Sequence, residues 1–248
     1  MTIDPLFDLT GKVALVTGGS RGLGLEIVRA YAAHGADVVI ASRKLESCEA
    51  AADEVRAMGR RALAHAAHVG RWDEIDALID AAYAEFGKVD ILVNNAGIGP
   101  TTPSHEVTEK LYDSVMNLNI KGPFRLASQV AKRMYDGEGG SIINVSSTAG
   151  VRPMPGVVAY ACSKAALNSL SLSLAHEYAP KVRVNTLSPG GFLTDIAKAW
   201  TEEGRATSTN AVKRHGNPEE IVTSALFLAS PKSTFVTASN VRCDGGTW

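Results

Sequence analysis

The sequence predicts a doubly wound α/β fold, a mainly parallel sheet of about seven strands with helices on both faces. Two patterns carry this expectation. Short apolar runs alternate with helix-period segments almost from end to end, which implies right-handed βαβ crossovers and parallel neighbours. The runs are also apolar on both faces, as strands are when helices cover both sides of a sheet. No repeat, low-complexity tract or linker divides the 248 residues, so a single domain over 1–248 is expected.

The elements follow in order. "KVALVTG" is the first strand, and the amphipathic stretch 23–34 is the first helix. "DVVIAS" leads to a helix over 46–58, and a weaker strand near 61–66 leads to one over 71–86. "VDILVNN" precedes a long helical stretch from about 108 to 134, and "SIINVSS" precedes a helix over 158–178. "RVNTLSP" runs into an irregular segment, a helix follows "NPEEI", and "NVRCDGG" closes the fold. The irregular segment, 189–216, is long for a compact domain, and such connections are usually functional. It follows a strand's C-terminal end, where open α/β sheets bind ligands. The expectation is therefore a substrate lid, the plain alternative being a solvated excursion.

Bulk properties narrow the function. With 45% apolar residues, 21% charged and a net charge of −1, the chain has no basic excess for nucleic acid or anionic lipid. Its three cysteines, Cys48, Cys162 and Cys243, lack a C-x-x-C and read as free thiols in a reducing compartment. The opening "MTIDPLFDLTGK" has neither the basic nor the apolar region of a signal peptide, and no run is long enough to span a membrane. A cytoplasmic location is the expectation.

"TGGSRGLG" at 17–24 places glycines at Gly18, Gly22 and Gly24, which is not the common G-x-G-x-x-G spacing. Glycine permits a tight strand-to-helix turn and close backbone approach to a ligand, and a helix starting near Gly22–Leu23 aims its amides at a phosphate. A turn packed for its own sake is the alternative. In dinucleotide sites the adenine-side ribose is read at the end of the second strand. An acid there suits a free 2′-hydroxyl, whereas a basic residue suits a 2′-phosphate. Here Ser42 and Arg43 stand at that point, Arg21 is within reach, and no acid stands beside them in "VVIASRK". NADP(H) is expected ahead of NAD(H), unless Arg43 and Lys44 are solvated charges opening a helix.

In "YACSK", Tyr160 and Lys164 are spaced to share one face of a helix. A nearby ammonium favours the phenolate and so tunes a tyrosine for acid–base work, although such a pair is common on surfaces. Ser146 and Ser147 end the strand before it. Either hydroxyl can bond a carbonyl oxygen as charge develops on it.

Taken together, "KVALVTGGSRGLG", "DILVNNAG", "NLNIKG", "SIINVSS", "YACSK", "RVNTLSPG", "NPEEI" and "CDGG" resemble the short-chain dehydrogenase/reductase family across nearly the whole chain. In that family the glycine spacing is G-x-x-x-G-x-G. The resemblance implies a Rossmann-type domain and a set of roles. Tyr160 becomes the acid/base and Lys164 its tuner and ribose ligand. Ser147 is preferred to Ser146 as the substrate-orienting hydroxyl. Asn119 becomes a helix irregularity supporting a water relay, with Asn117 as the alternative. Cofactor contacts are implied at Gly18, Ser20, Arg21, Gly22, Leu23, Gly24, Ser42, Arg43 and Val69. Further ones fall from Asn94 through Asn95 and Ala96 to Gly97, and at Pro189, Gly190 and Thr194.

Two departures stand out. Many relatives carry Asp–Val where this chain has His68–Val69, which removes a side-chain contact to adenine, and Ala238 stands where a glycine often precedes the last strand. His65 and His68 alone do not make a metal site, and none is expected. The implied activity is NADP(H)-dependent interconversion of a carbonyl and a secondary alcohol. The alternative is a nucleotide-sensing or scaffold protein without turnover. The chain is similar to 3-oxoacyl-carrier-protein reductases and to sugar-acid dehydrogenases of the gluconate 5-dehydrogenase kind. Arg152, Met154, Gly191, Phe192 and Trp200 are the pocket candidates, with Arg152 facing a substrate carboxylate. Lys132–Arg133 or Lys181–Arg183 are the candidate carrier-docking patches. A homotetramer, paired through the helices near 108–134 and 158–178 and through the last strand, is implied by the resemblance.

Overall fold

The computed structural model describes residues 3–195, 197, 200 and 202–247. Seven parallel strands form one sheet in the order β3-β2-β1-β4-β5-β6-β7. They are β1 (Val13–Thr17), β2 (Asp37–Ser42), β3 (Ala62–Ala66), β4 (Ile91–Asn94), β5 (Gly140–Val145), β6 (Val182–Pro189) and β7 (Asn240–Cys243). The helices are α1 (Gly22–Ala33), α2 (Leu45–Ala57), α3 (Trp72–Phe86), α4 (Glu109–Met116), α5 (Gly122–Asp136), α6 (Val158–Glu177), α7 (Glu202–Ala206) and α8 (Val222–Ala229).

The two-faced strands do what their composition implies. Ala14, Val16, Val38 and Ile40 pack with Ile27, Val28, Cys48, Val55 and Leu226, from α1, α2 and α8. The alternating Val13, Leu15, Val39 and Ala41 pack on the other face with Ile75, Leu78, Leu126, Val130 and Leu174, from α3, α5 and α6. Successive strand residues point to opposite faces, so each layer takes every second side chain. Tyr31 ties α1 to α8 within the first layer, its buried hydroxyl donating to the Ala225 carbonyl at 3.0 Å.

The long helix expected near 108–134 is two helices. Thr108 caps α4 by accepting from the Leu111 amide. A π-helical turn, Asn117–Lys121, then separates α4 from α5. Strand order reverses between β1 and β4, and both strands point their C-terminal ends at the same edge. That crevice is where open α/β sheets bind ligands.

Candidate active site

The glycine turn fills the crevice on the β1 side. Gly18 and Gly22 have φ of 64° and 55°, a region that side chains other than glycine adopt at a cost. Gly24 is needed for proximity, since a Cβ there would lie 2.2 Å from the Gly18 carbonyl oxygen. Arg21 occupies the N-cap of α1 without a side-chain cap, which leaves the helix's first amides and positive dipole end to an outside acceptor. Asn95, from "NNAG", holds the turn in place. Its side-chain amide donates to the Thr17 and Gly18 carbonyls at 3.0 and 3.2 Å, and its backbone amide donates to the Thr17 hydroxyl at 3.1 Å. The Ala96 amide donates to that hydroxyl too, at 3.2 Å. Thr17 is the positioning residue that the sequence did not single out.

At the end of β2, the Ser20 hydroxyl donates to Ser42 at 2.9 Å, and Ser42 lies 3.2 Å from the Cys48 thiol. Arg43 and Lys44 are exposed, and among the described residues neither is in an ion pair. The expectation that no carboxylate neighbours these arginines needs correction. Arg21 pairs with Asp195 of the 189–216 segment at 3.3 Å, an acid distant in sequence. Val69 is buried, and the His68 amide donates to Glu74 at 2.6 Å. No cluster of three metal-ligating side chains occurs among the described residues.

The β5 side carries the acid–base groups. The two serines separate cleanly. Ser146 is buried and donates to the Lys164 carbonyl at 3.1 Å, tying α6 to β5. Ser147 is half-buried, its hydroxyl accepting from the Ala149 amide at 3.1 Å and lying within reach of the Tyr160 phenol. Tyr160 lies against Gly99, where a Cβ would come within 3.2 Å of its ring. Burial pushes the phenol above its ordinary value, and the Ser147 bond only partly offsets this. Lys164 approaches the tyrosine ring while bonding the backbone. Its ammonium donates to the Val145 carbonyl at 2.8 Å and lies 5.7 Å from the tyrosine ring centroid. Burial lowers the lysine's own pKa to about 8.

Asn119, fully buried in the π-helical turn, accepts from the Ile98 amide at 3.0 Å. It donates to the Ile98 carbonyl and the Ser163 hydroxyl at 2.8 and 3.0 Å. Ser163 in turn donates to the Tyr160 carbonyl at 2.6 Å. The irregular turn thus fastens the β4 loop to α6, with Gly97 facing Asn119 and the lysine ammonium. Ser163 also went unnoticed in the sequence, although its place within "YACSK" puts it on the buried face.

The pocket candidates divide. Arg152 is half-buried and Met154 exposed on the loop after Ser147. Gly191 and Trp200 meet at His215, whose ring is tilted 48° to the Trp200 ring at 4.8 Å between centroids and bonds the Gly204 carbonyl through Nε2. Phe192 lines a cavity with Gly191, Asn210 and Asp244. It is buried in the core and bridges Gly216, because an apolar ring directly after β6 gains more from the core than from solvent. Gly190 packs on Asp244, and Thr194 lies over Gly22. Of the expected lid, residues 196, 198, 199 and 201 lie outside the described residues. The candidate docking cations have partners within the chain. Lys132 pairs with Asp136, and Arg133 with Asp80. Lys181 and Arg183 donate to backbone carbonyls.

These parts fit a dinucleotide: a cradle that a Cβ would fill, a helix N-terminus without a side-chain cap and a cationic strand end. Beside them stand a phenol and a hydroxyl able to serve one oxygen. Comparison with known proteins agrees. The family model for short chain dehydrogenases matches residues 12–205. D-threitol dehydrogenase of Mycolicibacterium smegmatis is 36% identical over 250 residues, covering 99% of this chain and 96% of that protein. A 7α-hydroxysteroid dehydrogenase solved with NADH and 7-oxo glycochenodeoxycholic acid superposes with a TM-score of 0.93 at 33% identity, covering 99% and 98% of the two chains. A blue fluorescent protein from a metagenomic library, solved with NADPH, superposes with a TM-score of 0.91 at 36% identity, covering 96% and 98%.

Proposed function

The chain belongs to the short-chain dehydrogenase family, whose members exchange CH–OH and C=O, and from that premise we propose an NADP(H)-dependent reductase and dehydrogenase of secondary alcohols. The observation that carries the reading is the convergence of Ser147, Tyr160 and Lys164 beside the glycine turn. A nicotinamide bound there supplies or removes the hydride at the carbonyl carbon. The chain's residues do the rest. Tyr160, kept protonated near neutrality by burial, gives its proton to the carbonyl oxygen during reduction and takes it back during oxidation. Ser147 donates to the same oxygen and stabilises the developing alkoxide. Lys164 is protonated below a pH of about 8 and holds positive charge beneath the tyrosine. Asn119 keeps the β4 loop, α6 and that lysine in register. The phosphates fall to the turn amides from Gly18 to Gly24, and the 2′-phosphate to Arg43 with Arg21. NAD(H) is the alternative, as the NADH-bound neighbour illustrates.

The substrate reading is a small hydroxylated ketone or sugar acid held near Arg152, Met154 and Trp200 under a 189–216 lid. A 3-oxoacyl thioester on a carrier protein is the alternative. Exposed Tyr112, Phe124, Val158 and Leu172 on α4, α5 and α6 support the homotetramer. The single domain remains part of the same proposal. No helix among the described residues is long and apolar enough to cross a membrane, and the unpaired thiols support a cytoplasmic setting.

The test follows NADPH and NADH absorbance with purified protein against keto-sugar acids, polyols and a 3-oxoacyl thioester, beside Tyr160→Phe. Turnover of a ketone that falls about a hundredfold or more in the variant, with cofactor affinity kept, is the expected result. A variant that turns over like wild type sinks the acid–base assignment. Cofactor binding with no turnover of any carbonyl would favour the sensing or scaffold alternative.

A further inference from the structure

The Arg21–Asp195 pair is the one charged link, among the described residues, between the glycine turn and the 189–216 segment. Its partners lie 174 positions apart, and Thr194, the residue before Asp195, sits over Gly22. Their side chains are 67% and 39% exposed, so packing locks neither. On its other side the turn is tied to the end of β2 through Ser20 and Ser42, next to Arg43. The Arg21 guanidinium therefore has a carboxylate partner from the segment, on a turn whose other side is tied to the cationic strand end.

We infer that Asp195 is a cofactor-discriminating residue, which competes with a ribose 2′-phosphate for Arg21 and so weakens NADPH binding relative to NADH. The inference rests on the dinucleotide reading above. An exposed arginine–carboxylate pair is weak and easily exchanged, whereas a phosphate dianion offers the guanidinium more charge and a bidentate partner. Binding of a 2′-phosphate breaks the pair and leaves Asp195 repelling it across a short distance. NADH has no phosphate there, leaves Arg21 with Asp195 and keeps the segment tied to the turn. One carboxylate thus ties the choice of cofactor to the freedom of the segment over the site.

The test is direct binding without substrate, by quenching of intrinsic protein fluorescence, for wild type, Asp195→Asn, Arg21→Ala and the double variant. Asp195→Asn is expected to tighten NADPH about threefold to tenfold, with the gain shrinking in high salt, and to change NADH less than about twofold. In the Arg21→Ala background most of that gain should vanish. An unchanged ratio of the two dissociation constants, or equal weakening of both cofactors, overturns the inference and reduces Asp195 to a tether for the segment. Failure of the wild type to bind either dinucleotide would instead overturn the underlying functional reading.

Discussion

Replacing Lys164 by methionine separates what this buried ammonium costs from what it does. The residue is 4% exposed, and burial pulls its pKa from 10.5 to about 8. That shift corresponds to about 3 kcal/mol of disfavour for the charged form in the folded chain. Because the folded pKa lies below the unfolded one, the unfolded chain binds more protons between the two values. Wild-type stability therefore rises with pH from about 8 to 10.5, and below about 8 the full penalty is present. Methionine has nearly the same length, fills the same space and does not titrate. It also leaves the Val145 carbonyl without its 2.8 Å donor, at a cost of about 1–3 kcal/mol. Near neutral pH the two effects roughly offset, and Lys164→Met is expected to equal wild type or exceed it by up to about 2 kcal/mol. Towards pH ~10 the wild type should gain roughly 2–3 kcal/mol on the variant. Urea unfolding of both proteins without cofactor, at about pH 7 and about pH 10, measures this directly, because all other titrations cancel in the difference. A difference independent of pH would refute the argument, as would a variant several kcal/mol less stable near neutrality.

Three other outcomes are expected. Arg43→Ala should lower the ratio of NADPH to NADH catalytic efficiency by roughly tenfold to a hundredfold, as loss of one charge-assisted bond implies; an unchanged ratio removes Arg43 from phosphate recognition. Ser147→Ala should cut kcat by about a hundredfold and cost about 1 kcal/mol through its lost cap on the Ala149 amide, whereas Ser146→Ala should cost about 1 kcal/mol through its lost bond to the Lys164 carbonyl and leave kcat nearly unchanged. Urea curves and steady-state rates on the two variants distinguish them, and a reversed pattern would exchange their roles. Ala238 has a φ of 56°, so Ala238→Gly should stabilise the chain by about 1 kcal/mol and raise Tm by roughly 2–4 °C; a lower Tm would show that the turn tolerates alanine without strain.

The sheet was legible because its strands are apolar on both faces, a pattern that only helices on both sides explain. The glycine turn and "YACSK" were legible because each needs particular residue types at fixed spacing. What escaped notice is tertiary. No local pattern says that the helix near Asn119 takes in an extra residue, since the demand comes from Ile98 and Ser163, and only the family resemblance pointed to it. Phe192 both packs on the core and lines a cavity, and an apolar ring carries no mark in sequence separating the two. Arg21 could not reveal an acid so far along the chain.

The strand order also sets a sequence in time. β3, β2, β1 and β4 are neighbours in the sheet and come from the first part of the chain. As synthesis proceeds from the N-terminus, these four strands can pair, and Asn95 can fasten the turn, before β5 exists. Asn94 then waits for Asn144, whose side-chain oxygen it meets across the seam at 2.8 Å. Ser147, Tyr160 and Lys164 all lie beyond that seam. A chain cut before β5 carries the glycine turn without the acid, so in the life of each molecule the turn is assembled before the acid–base groups can meet it.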